Sequence, residues 1–205
     1  MRRELIKGEF FTYLAYTPDE HKDGMQYPIL LFLHGAGARG TDISLLESNT
    51  ITHYFCEHEL PFVLVEPLCS EDTWFEVFEK LIEFASSLRQ LPSVDSNRFF
   101  LTGNSMGGYA AWMLAMARPD WFSALVPVCG GGMAWNAERL KNIPIWAFHG
   151  VLDETVAVEE SIRMVRAVNS AGGDAKLTLY PSVGHNSWEN AYSNSELYTW
   201  LLEQR

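Results

Sequence analysis

The chain has 205 residues, of which 47% are hydrophobic, and this is enough apolar material for a single globular domain spanning residues 1–205. The formal net charge of −11 argues against nucleic acid and against an anionic membrane surface as partners. No stretch approaches the roughly 20 apolar residues of a spanning helix, and the N-terminus lacks the apolar run of a signal peptide, so we expect a cytoplasmic protein.

Apolar runs alternate with helical patterns along the chain. The run 10–16 alternates and predicts an early antiparallel edge strand. Continuous apolar runs, typical of strands buried on both faces, follow at 28–34, 61–66, 98–102, 124–129, 143–149 and 176–180. Helical patterns lie over 74–91, 106–118, 156–170 and about 193–203. The segment 35–59, rich in Gly, Ser, Thr and His, gives no clear assignment.

This alternation predicts an α/β fold with a mostly parallel central sheet flanked by helices on both faces. In such folds ligands bind beyond the carboxyl ends of the strands. Several polar residues follow predicted strands, in loops that begin at positions 34, 66, 103, 130, 150 and 181. We therefore expect one edge of the sheet to collect the functional residues.

Residues 103–107 read Gly-Asn-Ser-Met-Gly, a G-x-S-x-G pattern between a strand run and a helical run. In that context the serine lies at the tip of a sharp turn with its hydroxyl exposed, and the glycines allow strand and helix to approach closely. The N–H groups at the start of the following helix face whatever the serine attacks. Because the pattern alone recurs by chance, Ser105 is a credible nucleophile only together with an acid and a base.

Both partners are found downstream of Ser105. Asp153 follows the run 143–149 by a short loop, and His185 lies in the loop after the last predicted strand. The order Ser, Asp, His is that of the α/β-hydrolase triad. Ser105 is then the nucleophile, His185 the general base and acid, and Asp153 the group that orients the imidazole; Glu154 is an alternative acid.

Attack of a serine on a carbonyl carbon also needs two backbone N–H donors for the developing oxyanion. Met106, directly after the nucleophile, is expected to supply one of them. The glycine-rich loop that begins at His34 is expected to supply the other, from Ala36. His34 itself is expected to orient this loop by hydrogen bonding and not to act as a base.

Four segments carry a family resemblance that covers about residues 28–202. They are HGAGARGTD at 34–42, LTGNSMGGYAAW at 101–112, IWAFHG at 145–150 with Asp153, and GHNSW at 184–188. These resemble the motifs of small bacterial α/β-hydrolases of the phospholipase/carboxylesterase or predicted-peptidase group, relatives of dienelactone hydrolase. The resemblance implies an α/β-hydrolase fold and a serine esterase that needs no metal or organic cofactor. Ala38 and Asn104 depart from the usual pattern without removing a catalytic group.

The sequence indicates the substrate less directly than it indicates the reaction. Trp74, Tyr109 and Trp188 lie near the predicted loops or one helical turn from the nucleophile, and we expect them to line an aromatic substrate pocket. No long insertion stands where lipases carry a lid, so a minimal fold with an open site for small-molecule esters is expected.

Other functions remain compatible with these residues. A peptidase, a feruloyl-type esterase or a thioesterase would use the same triad, and a binding protein on a hydrolase scaffold is a further alternative. The six histidines form no H-x-x-x-H pair, and the three cysteines form no C-x-x-C pair, so a metal-dependent hydrolase is disfavoured. His53 and His58 are expected to be solvated loop residues, and the sequence gives no oligomeric state.

Overall fold

An eight-stranded sheet organises the backbone. The computed structural model describes residues 1–19 and 24–205. In chain order the strands are β1 (Arg2–Lys7), β2 (Thr12–Thr17), β3 (Tyr27–Leu33), β4 (Val63–Pro67), β5 (Val94–Asn104), β6 (Ala124–Val128), β7 (Ile145–Gly150) and β8 (Ala175–Tyr180). Their order across the sheet is β1-β2-β4-β3-β5-β6-β7-β8. The pairs β1–β2 and β2–β4 are antiparallel and the other five are parallel, which confirms the predicted α/β architecture.

The predicted edge strand is not at the edge. The run 10–16 corresponds to β2, which is antiparallel as expected but lies between β1 and β4. The edge is β1, whose sequence RRELIK is almost entirely exposed to solvent. Because β1 is polar and buries no face, its sequence lacks the apolar signal on which strand prediction depends.

Helices cover both faces of the sheet. Helices α3 (Phe78–Arg89), α4 (Met106–Ala117) and α5 (Glu159–Ser170) pack on one face, and α1 (Ser44–Glu47), α2 (Thr50–His58), α6 (Trp188–Tyr192) and α7 (Ser195–Glu203) on the other. Two short 3-10 helices cover Ala36–Ala38 and Ala134–Leu140. Across the described ranges, no helix combines the length and the apolarity that crossing a membrane requires.

The central strands contribute side chains to a core on each face. In β3, Ile29 and Leu31 belong to the cluster under α3, α4 and α5, whereas Leu30 and Phe32 belong to the cluster under the other helices. All four side chains are at most 1% exposed. Successive side chains of a strand point to opposite faces, so a strand covered on both sides reads as the continuous apolar run seen in the sequence.

The segment 35–59, which the sequence left unassigned, forms a short 3-10 helix, α1 and α2. His53 and His58 are exposed as expected, but they lie on α2 and not in a loop. Two other helices begin later than predicted, because residues 74–77 form turns and the chain enters α5 only at residue 159. The segment 35–59 follows the carboxyl end of β3 and therefore stands at the edge of the sheet where the functional loops were expected.

Candidate active site

Ser105 occupies a strained turn between β5 and α4. Its backbone angles are φ 55° and ψ −119°, a combination that non-glycine residues rarely adopt. The Ser105 N–H donates to Val128 O at 3.0 Å, and the Tyr109 N–H donates to Ser105 O at 3.1 Å. Strain of this kind costs on the order of 1–3 kcal/mol and persists only where the surroundings impose it. The neighbouring strand and the first turn of α4 impose it here.

The two glycines of the pattern are required by close packing around this turn. A Cβ atom on Gly107 would overlap the carbonyl oxygen of Leu33 in β3. A Cβ atom on Gly103 would overlap the carbonyl oxygen of Gly107. The helix therefore starts directly against the carboxyl ends of two strands, and this contact fixes where the Ser105 hydroxyl lies.

Hydrogen bonds connect the three side chains that the sequence singled out. Ser105 Oγ lies 2.8 Å from His185 Nε2, and His185 Nδ1 lies 2.8 Å from Asp153 Oδ2. Asp153 is carried by the loop after β7 and His185 by the loop after β8, so adjacent parallel strands bring them to one edge. Glu154 is exposed and makes no hydrogen bond to His185 within the described part of the chain. We call this chain of contacts the Ser105–His185–Asp153 relay.

The Asp153 carboxylate is buried and saturated with donors. Its Oδ1 accepts the N–H groups of Thr155 and Val156, both at 2.9 Å. Burial alone would raise the pKa of this carboxyl, but the hydrogen bonds from His185 and from the two N–H groups outweigh it and hold the pKa below its ordinary value. The residue is therefore ionised at neutral pH and is placed to stabilise a positive charge on His185.

A second histidine, His149, contacts the same carboxylate. Its Nε2 lies 3.2 Å from Asp153 Oδ2 and 3.0 Å from Val156 O, and its Nδ1 lies 2.7 Å from Ser161 Oγ. Because Nε2 faces two acceptors, it carries a hydrogen and donates it. The sequence motifs predict no role for His149, although a histidine that ends an apolar strand four residues before Asp153 is a usable signal.

His34 holds the loop that follows β3. The ring is fully buried, its Nδ1–H donates to Gly35 O at 2.7 Å, and its Nε2 accepts the Cys69 N–H at 3.0 Å. Burial lowers the pKa of His34 to about 4, so the ring is neutral. These contacts agree with the predicted orienting role of His34.

The backbone N–H groups of Ala36 and Met106 are available to a ligand. Across residues 1–19 and 24–205, neither N–H donates a hydrogen bond to a protein acceptor. Ala36 starts the 3-10 helix of the His34 loop, and Met106 is the first residue of α4. Free N–H groups at such helix starts attract negative charge.

An open cleft of about 450 Å³ exposes Ser105. The residues that line it come from the His34 loop, from α1 and the start of α2, and from the relay: Gly35, Ala36, Gly37, Ala38, Leu45, Ser48, Asn49, Thr50, Asn104, Ser105, Thr155, His185 and Trp188. Among these described residues none is an acid, a lysine or an arginine. The cleft therefore suits an uncharged ligand.

The three predicted substrate contacts have different surroundings. Trp188 lines the cleft, with its ring edge-on to His185 at 5.3 Å between centroids. Trp74 is fully buried, and its Nε1–H donates to His34 O at 3.0 Å, so the prediction that it contacts substrate is wrong. Tyr109 is half-buried beside Gly131 and is not among the residues that line this cleft.

The fold and these motifs are shared with a known family. A model of the dienelactone hydrolase family matches residues 64–196, a range that includes Ser105, Asp153 and His185. The chain belongs to the dienelactone hydrolase family. The resemblance stated from the sequence is thus confirmed, and the α/β-hydrolase fold with it.

Solved structures show the same architecture. A thermostable esterase is 32% identical over 99% of this chain and 62% of its own, with a TM-score of 0.84. Est1E from Butyrivibrio proteoclasticus is 14% identical over 98% of both chains, with a TM-score of 0.72. The acylaminoacyl peptidase of Pyrococcus horikoshii is 17% identical over 99% of this chain and 40% of its own, with a TM-score of 0.70. The last two share the fold, and the chain spans 62% of the length of the thermostable esterase.

Proposed function

We propose that this member of the dienelactone hydrolase family is a serine carboxylesterase that hydrolyses small or short-chain carboxylic esters. The observation that carries the proposal is the Ser105–His185–Asp153 relay, with both of its hydrogen bonds at 2.8 Å. A serine hydroxyl is a weak nucleophile at neutral pH and requires an adjacent base, which the relay supplies.

The reaction proceeds in two halves. His185 Nε2 removes the proton of Ser105 as its oxygen attacks the ester carbonyl, and the Ala36 and Met106 N–H groups receive the developing oxyanion. His185 then protonates the departing alcohol and leaves an acyl-enzyme on Ser105. A water molecule activated by His185 repeats the sequence and releases the acid. Asp153 stabilises the positively charged imidazole in both halves.

The cleft supports a small, uncharged substrate. Its lining consists mainly of backbone, small side chains and polar side chains, with Leu45 and Trp188 as the large apolar contributions. The binding of a long acyl chain depends on a large buried apolar area, and this lining offers little. The similarity to a protein described as an esterase supports an ester as the substrate.

Labelling with a fluorophosphonate probe tests the nucleophile. We expect one covalent adduct by intact mass, localised to Ser105 by peptide mapping and absent from Ser105→Ala. Ser48→Ala, which changes another serine lining the same cleft, is the matched control and should label normally. Undiminished turnover of an activated ester by Ser105→Ala would rule out the proposed mechanism.

A chain-length series of nitrophenyl esters tests the substrate class. Turnover should be highest on short acyl groups and decline as the chain outgrows the cleft. A maximum at acyl chains of about sixteen carbons would contradict the proposed substrate class.

A further inference from the structure

A cysteine lies close to the histidine and the carboxylate of the relay. Cys129 directly follows β6 and is fully buried. One ligand atom from each of Cys129, Asp153 and His185 lies within 4.8 Å of the others. Thiolate, imidazole and carboxylate are the protein ligands of zinc. On a tetrahedral zinc ion such atoms are about 3.3–3.8 Å apart, so the group needs to contract by only about 1 Å.

A fourth polar group faces the Cys129 thiol. The Ser187 hydroxyl lies beside this thiol and is fully buried. It has no other hydrogen-bond partner in the described part of the chain. A thiol is a weak hydrogen-bonding group, so this buried hydroxyl is poorly satisfied. A bound cation would use its oxygen as a fourth ligand.

The backbone holds Cys129 in an unusual conformation. Its φ of 41° lies in the left-handed region, where glycine is the favoured residue. Its N–H donates to Phe148 O at 2.9 Å, which ties the residue to β7 beside the acid loop. A thiol is thus present at a position where the backbone favours no side chain. The esterase mechanism proposed above does not use this thiol.

We propose that Cys129, Asp153, His185 and Ser187 form an inhibitory site for a thiophilic divalent cation, of which Zn²⁺ and Cd²⁺ are the probes. The inhibition rests on the proposed function, because occupation of the site disables the base that serves Ser105. The thiolate and the carboxylate together neutralise the double charge of the cation.

Proton placement explains why the bound cation would inhibit. His185 Nδ1 is the ring nitrogen that faces Asp153, at 2.8 Å, and it is the nitrogen that the cation takes. The Nδ1 proton moves to Nε2, so the ring stays neutral, and the Cys129 proton is released to solvent. Nε2–H then points at Ser105 Oγ and cannot accept its proton. Catalysis stops although the nucleophile is unchanged.

Two measurements on metal-free protein test the site. Ester hydrolysis is followed against Zn²⁺ and Cd²⁺, with chelator added at the end to restore activity. The thiolate-to-Cd²⁺ charge-transfer absorbance is titrated on the same protein and should saturate at one cation per chain. The variant Cys129→Gly suits the left-handed backbone and should fold and retain basal activity. It should raise the half-inhibiting Zn²⁺ concentration at least about tenfold and abolish the absorbance.

A second cysteine, Cys56, provides the control. Cys56→Ser removes an exposed thiol and should leave both the inhibition and the absorbance as in the wild type. The proposal would be overturned if Zn²⁺ inhibited the wild type and Cys129→Gly equally. It would also be overturned if the Cd²⁺ absorbance disappeared in Cys56→Ser and not in Cys129→Gly. If the metal-free wild type neither turns over esters nor labels at Ser105, the proposed function fails. The Cd²⁺ absorbance still reports separately whether the cation site exists.

Discussion

Replacing Glu66 by glutamine should stabilise the protein, and increasingly so as the pH rises. Glu66 lies in β4 and is fully buried. Its Oε1 accepts the Thr52 hydroxyl at 2.5 Å, while its Oε2 has no hydrogen-bond partner among the described residues. Thr52 lies in the first turn of α2, the helix whose start lines the cleft.

The size of the effect follows from the ionisation of this carboxyl. Burial raises the pKa of Glu66 from its ordinary 4.5 to about 8, although the Thr52 hydrogen bond opposes the change. Between these values the folded chain holds a proton that the unfolded chain releases. The contribution of Glu66 to the free energy of unfolding is therefore fully present below about pH 4.5. Above that pH it falls by about 1.4 kcal/mol per pH unit, until the pH passes the pKa of Glu66 in the folded chain. At pH 7 this loss is roughly 3 kcal/mol, and glutamine, which does not ionise, avoids it.

Urea denaturation of wild type and Glu66→Gln at pH 5, 6, 7 and 8 measures this difference. The gap in unfolding free energy should widen with pH, while ester turnover at pH 7 stays as in the wild type, because Glu66 does not line the cleft. Glu83→Gln, an exposed carboxyl on α3, is the control and should show no widening gap. A gap that stays constant across this range would refute the buried-carboxyl argument.

Substitutions at His149 and Trp74 test whether these side chains position the site or contact the substrate. His149→Phe should lower kcat roughly ten- to a hundredfold with little change in KM, because Asp153 loses one hydrogen-bond donor. His149→Gln keeps a donor and should recover part of the lost kcat. Equal kinetics for the two variants would exclude the hydrogen bond as the cause. Trp74→Phe should lower the unfolding free energy by about 1–3 kcal/mol and leave KM for an acetate ester unchanged, because it removes the donor to His34 O. A raised KM at unchanged stability would restore Trp74 as a substrate contact.

The residues of the relay were predictable because each stands in a local pattern with its own cause. The glycines around Ser105 indicate that a helix approaches two strands closely. Asp153 and His185 follow buried strands, and parallel topology brings such loops to one edge. The strand positions were predictable for a related reason, because burial on both faces leaves a continuous apolar run.

What escaped prediction depends on tertiary placement. A tryptophan in a loop after a strand gives the same sequence pattern in two different positions. Trp188 lines a cleft, whereas Trp74 packs beneath a loop. The strand β1 and the short helices of segment 35–59 carry weak periodicity, because they are exposed or only a few residues long. The contact of His149 with the acid depends on how the loop after β7 folds back.

The geometry of that loop also explains why Asp153, and not Glu154, contacts His185. Asp153 Oδ1 accepts the N–H groups of the residues two and three positions later, a local pattern that a short carboxylate side chain makes with its own loop. Its Oδ2 is then left facing His185 and His149. An additional methylene in the side chain would displace one of these two sets of contacts. The loop after β7 is therefore built around an aspartate, and the same hydrogen bonds that shape it hold the carboxylate ionised for His185.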